Sequence, residues 1–154
     1  MKHYGFTMRN VGKLMCNLGF EKEFKKMVLG DYLSGNVDRH SRNFGILIDS
    51  DTRNIKQFAP LFDHGESYIY ASMDNMMYIV GETTFGKAIE NVDIDVLKLI
   101  DNVDEKDITE ILDQIPYISF EDKCEIFDEF FRRKDHIHDI IREKELEYEQ
   151  DLEI

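Results

Sequence analysis

Asp38 and Asn43 stand five positions apart, and Asp63 follows Asn43 by twenty. A loop that carries an acid and an amide at that separation, followed by a ribbon that returns a second acid, can converge three oxygen-bearing groups on one point. Hard oxygen donors of this kind suit Mg²⁺. Phosphoryl transfer needs such a set: an acid to orient the attacking hydroxyl and accept its proton, and an amide oxygen and a carboxylate to hold metal against the phosphates. The plainer alternative is a surface turn rich in Asn and Asp.

The flanking elements must do the converging. Phe24, Met27, Val28, Leu29 and Tyr32 recur at helical spacing, which predicts a helix over residues 20–33 with one buried face. Ser34, Gly35 and Asn36 end it and open the loop, because Gly and Asn tolerate left-handed backbone. Residues 44–48 and 55–58 read as strands on either side of the polar turn formers at 49–54, so a β-hairpin is expected. Upstream, a short helix near residues 10–18 should end at Gly19. Residues 66–84 mix Tyr, Met, Ser and Asn without period, which suggests a long loop with short helical pieces.

The last third is predicted helical. Asp93 should cap residues 94–100, and Asp104 or Asp107 should open a helix through Ile115 that Pro116 terminates. Ser119 and Asp122 resemble a capping box at the start of the longest helix, whose Phe127, Phe130, Phe131, Ile137 and Ile141 form an apolar stripe. Residues 143–154 can stay helical through charge pairs but have little to bury, so this tail should fray. The expected class is mainly α, of α+β type, as a single domain over residues 1–154.

Residues 33–45, followed by Ala59, Pro60, Leu61, Phe62 and Asp63, resemble the C-terminal kinase domain of HipA-like proteins, distant relatives of the protein kinases. That family carries a Gly-Asn-x-Asp-x-His-x-x-Asn loop and an Ala-Pro-x-Tyr/Phe-Asp segment, and the phosphatidylinositol kinases show a similar Asp-Arg-His. The match spans residues 24–70. Asp63, His64 and Gly65 keep the outer residues of the protein-kinase Asp-Phe-Gly and change the middle one. The resemblance implies a helical kinase-like C-lobe with a small β-hairpin bearing the catalytic and metal-binding loops. It makes Asp38 the catalytic base and Asn43 and Asp63 the metal and cofactor ligands, with ATP and Mg²⁺ as cofactors and a protein Ser or Thr hydroxyl as acceptor. A toxin role beside a DNA-binding antitoxin-like partner is a further implication.

A kinase also needs a β-rich lobe with a Gly-rich loop, a strand Lys and a helix Glu. Only 37 residues precede Asp38, and about a dozen belong to the helix leading into the loop, which leaves too few for a sheet of several strands. Lys13, beside Gly12, is no convincing substitute. Stand-alone activity is therefore not expected. Another polypeptide could supply the missing lobe, the chain could be a fragment, or it could be a degenerate non-catalytic interaction module that engages a partner or itself.

The remaining polar residues read more plainly. Arg39 suggests a local salt bridge of small worth and stays outside the catalytic set. His40 suits a loop-organising hydrogen bond, and Asn36 suits the turn. His136 and His138, two apart on a helix, point to different faces and do not form a metal pair. Met73, Met76 and Met77 suit gap-filling. Cys16 and Cys124 lack zinc or redox spacing, so buried free thiols are expected.

With 42% hydrophobic and 33% charged residues, eleven Phe and seven Tyr, the chain should fold. A net charge of -13 opposes direct nucleic-acid binding. No apolar run approaches a membrane span and no signal-peptide pattern opens the chain, so a cytoplasmic location is expected.

Overall fold

Apolar spacing in the first third produces two packed helices. The computed structural model describes residues 8–36, 39, 42–63, 67 and 89–152. Helix α1 spans Met8–Asn17 and α2 spans Glu21–Ser34. Gly19, at φ 79°, turns the chain between them. Helix α2 buries Phe24, Met27, Val28, Leu29 and Tyr32, the predicted face, and it also buries Asp31. It ends at Gly35, whose φ of 61° lets the Gly35 and Asn36 amides reach back to the carbonyls of Tyr32 (3.2 Å) and Asp31 (2.9 Å).

The hairpin follows. Strand β1 (Ile46–Ile48) pairs antiparallel with β2 (Ile55–Phe58), setting Ile46 opposite Phe58 and Ile48 opposite Ile55. Aromatic contacts fasten it to α2. Phe44 stacks on Phe58 with centroids 6.4 Å apart, and these two rings meet Phe24 and Phe20 edge-on at 6.2 and 6.3 Å.

Asp49 organises the turn, accepting the amides of Asp51 (3.0 Å) and Thr52 (2.8 Å) and pairing with Lys56 at 2.8 Å. Lys56, first, and then the two amides hold its carboxyl down at about 2, against an ordinary 3.8. Because the folded value is depressed, the carboxylate supports the turn above the ordinary value, and that support disappears as pH falls through about 2. Titration followed by NMR is expected to show the Asp49 carboxyl and the Asp51 and Thr52 amides moving together near that lower value. A midpoint close to 4 would overturn the account.

The last third is helical, with differences in detail. Helix α3 is only Ile94–Leu97 and passes into a 3-10 turn, Lys98–Asn102. Asp93 occupies the capping position, but its side chain makes no cap bond; its carboxylate takes Lys25 Nζ from α2 at 2.6 Å instead. A strong charged donor across the interface outcompetes the local amide.

Helix α4 (Glu105–Asp113) is opened by Asp104 in a capping box with Asp107, and it stops short of Ile115. Helix α5 runs Phe120–Leu152 without interruption. Ser119 opens it: the Asp122 amide donates to Ser119 Oγ at 3.0 Å, and the Ser119 hydroxyl donates to the Asp122 carboxylate at 2.6 Å. Residues 145–151 of this helix are all exposed.

The core gathers Met27 from α2, Leu97 from α3 and Ile137 from α5, none of them solvent-exposed, with Val96, Ile100 and Ile140 around them. Both cysteines are free but exposed, contrary to the expectation of burial. Cys16 sits one residue past buried Met15 and so turns off the packed face of α1, while Cys124 lies before α5 reaches its first buried residue, Glu129. The Cys16 thiol donates to Glu21 at 3.4 Å, and that carboxylate pushes its pKa up. Among the described residues no helix is long and apolar enough to cross a membrane. The predicted loop at 66–84, with Met73, Met76 and Met77, falls outside the described residues except for Ser67.

Candidate functional site

The site grows from a carboxylate on an apolar helix face. Asp31 is 1% exposed in the last turn of α2, where an unpaired charge would be strongly disfavoured. Its partner is Arg39. Arg39 Nε donates to Asp31 Oδ2 at 2.7 Å and Nη2 donates to Oδ1 at 2.6 Å, both side chains fully buried. Asn36 Nδ2 adds a bond to Oδ1 at 2.9 Å. Asn36 thus shapes the turn, as expected, and also helps to hold the ion pair.

The other end of the same guanidinium joins the two halves of the motif. Arg39 Nη1 donates to the Asn43 carbonyl at 2.6 Å and to the Phe62 carbonyl at 3.0 Å. The backbone entering the hairpin and the backbone leaving it are therefore no farther apart than these two hydrogen bonds laid end to end. Asn43 is completely buried. Asp63, the next residue after Phe62, is exposed and adopts φ 60°, a left-handed conformation uncommon outside glycine.

Of the three residues singled out by spacing, Asn43 is held by its own carbonyl and Asp63 follows the Phe62 carbonyl held by the same guanidinium. The third, Asp38, adjoins Arg39 in the chain and lies outside the described residues, as do His40 and His64. Arg39 departs from the expectation of a local pair of small worth. It is no weak surface salt bridge but a buried two-pronged pair whose remaining prong meets two carbonyls, a geometry that its planar fork supplies. The sequence held one usable signal: Asp31 lies on the buried stripe of α2, four residues after Met27, and an acid there requires a nearby cation.

Helix α5 fixes the end of α2. Arg133, 3% exposed, donates through Nη1 to the Leu33 carbonyl at 2.9 Å and through Nε to Glu129 Oε1 at 2.7 Å. A cation there satisfies the terminal carbonyls and complements the negative end of the helix. Beside it the Tyr32 hydroxyl is hydrogen-bonded to His136 Nδ1, and burial raises the Tyr32 pKa. His138 turns elsewhere and meets Asp101 at 2.9 Å.

The donors available for a cation are oxygens. An Asn amide and an Asp carboxylate match the preference of Mg²⁺, which holds few protein ligands and keeps several waters. Among the described residues no three His, Cys, Asp or Glu side chains form a metal cluster of their own. Asn43 and Asp63 carry oxygens of the kind that could hold such an ion.

No protein-family model matches the sequence, and no curated protein matches it either. Among solved structures, the crystal structure of the Helicobacter pylori proinflammatory kinase CtkA aligns with a TM-score of 0.67 at 22% sequence identity. The alignment covers 93% of this chain and 64% of that one. The helices and hairpin described above therefore have a kinase-like fold, spanning 64% of the length of that kinase's chain.

Proposed function

We propose that this chain is the catalytic-loop lobe of a HipA-like phosphotransferase that moves the γ-phosphoryl group of ATP to a Ser or Thr hydroxyl of a protein. The supporting observation is the single guanidinium of Arg39 bound to the backbones of both Asn43 and Phe62. In this reading Asp38 orients the acceptor hydroxyl and takes its proton, and Asn43 and Asp63 hold Mg²⁺. The metal, when bound, neutralises charge on the transferring phosphates.

The phosphate clamp comes from outside these residues, so the lobe alone does not transfer phosphate, but its metal-holding side, Asn43 and Asp63, still binds Mg²⁺ with ATP. A longer form of the chain or a second polypeptide would supply that clamp, and an antitoxin-like protein would be a further partner. The working compartment is the cytoplasm, where ATP and Mg²⁺ are supplied.

Calorimetry with Mg²⁺ and ATP tests the assignment. Binding should depend on Mg²⁺, and Asp63→Ala should weaken it at least tenfold, about 1.4 kcal/mol. Binding that is indifferent to both would reject the site.

One observation favours a second reading, a non-catalytic interaction module. Leu47, Ile48, Ile55, Leu61 and Phe62, on the hairpin and just after it, are between 42 and 50% exposed, which is apolar surface suited to a partner or a second copy. Absence of ATP binding together with concentration-dependent dimerisation in sedimentation would select that reading.

A further inference from the structure

The Arg39 clamp exceeds what folding alone asks for. A buried ion pair is seldom more stabilising than apolar residues of the same volume, because desolvation offsets most of the attraction. Here the pair sits at 0% exposure and at least four guanidinium N–H groups have protein acceptors: two on Asp31, one at Asn43 and one at Phe62. Those acceptors come from three separate places: the end of α2, the entry to β1 and the exit from β2.

One of the three is rigid. Helix α2 carries Met27 at 0% and Val28 at 2% exposure in the core, and Arg133 holds its last carbonyls. The guanidinium therefore refers two loop segments to a fixed helix. What it fixes most directly are the peptides on which the Asn43 and Asp63 side chains depend.

We infer that Arg39 is a positioning residue: locked to Asp31, it sets the Asn43 and Phe62 peptides at one spacing, and so sets the Asn43 amide relative to the Asp63 carboxylate. Its role rests on the phosphotransfer reading, in which those two groups share a cation. Small misplacements at such a site cost rate and affinity steeply. Lysine cannot replace it, because an ammonium offers three donors from a single atom and not a planar fork that spans a carboxylate and two carbonyls.

The test uses Arg39→Lys, which keeps the charge beside Asp31 and should keep a cooperative thermal transition. Two readouts are taken on the full chain. The Ala59 amide, bonded to the Gly45 carbonyl at 2.9 Å, reports on the base of the hairpin. Its hydrogen exchange, normalised to α5 amides, should quicken at least tenfold in the variant. Mg²⁺-dependent ATP binding by calorimetry should weaken at least tenfold.

Val96→Ala, a core truncation away from the clamp, controls for general destabilisation: its melting temperature should fall while its affinity stays that of the wild type. Wild-type affinity in Arg39→Lys would overturn the positioning role and leave the phosphotransfer reading standing. An equal loss of affinity in Val96→Ala would also overturn it. A wild-type chain that shows no Mg²⁺-dependent ATP binding would remove the phosphotransfer reading, and the positioning role with it.

Discussion

Arg39→Met is expected to lower the unfolding free energy by about 3–5 kcal/mol, because it takes the two-pronged cation away from a carboxylate that is 1% exposed. That is a large share of the roughly 5–15 kcal/mol that holds a typical domain together. Asn36 Nδ2, at 2.9 Å, is a poor substitute for a two-pronged cation. Adding Asp31→Leu to Arg39→Met should recover most of the loss, since the stranded charge is then gone and two apolar groups fill the space. Urea unfolding of the wild type, the single variant and the double variant measures the cycle. A single variant within about 1 kcal/mol of wild type would mean that Asp31 finds another partner or is hydrated, contrary to its burial.

The second large effect is expected at Gly35. Alanine there meets two penalties. The left-handed φ of 61° costs about 1–2 kcal/mol for a residue with a Cβ. That Cβ would also lie 2.6 Å from Arg133 Nη1 and 2.7 Å from Nη2, so the buried guanidinium must shift, which strains its bond to the Leu33 carbonyl. Together these should cost about 2–4 kcal/mol, the second part being weakening of a charged hydrogen bond and of a helix cap. Gly19 provides the internal comparison: its φ is 79°, but nothing lies within 4 Å of a built Cβ. Gly19→Ala should therefore show the backbone penalty alone. Equal losses at the two positions would mean that Arg133 yields without cost.

The helices were readable because their signals are local. The α2 stripe, the Gly35 stop and the Ser119 start depend on neighbours within one or two turns, and the polar run at 49–54 with flanking apolar runs was enough for the hairpin. Where the partner is remote, local rules fail. Asp93 has the right residue type and backbone for a cap, but Lys25, 68 positions earlier in the chain, takes its side chain.

The Arg39 clamp escapes local rules for the same reason. Its acid lies across a helix end, and its other acceptors are backbone carbonyls, which any residue type could supply. The motif names Asn43 and Asp63 but bears no trace of what holds their peptides side by side.

Asp63 is held at φ 60°. Glycine would sit there with less steric conflict, and even after its larger chain entropy is charged against it, the exchange could favour folding by up to about 1 kcal/mol. Random drift under pressure for folding alone would thus tend to erase the carboxylate. If Asp63 holds metal as proposed, then among sequences descended from a common ancestor with this one an aspartate here would mark lineages that keep the site, and a glycine those freed of it.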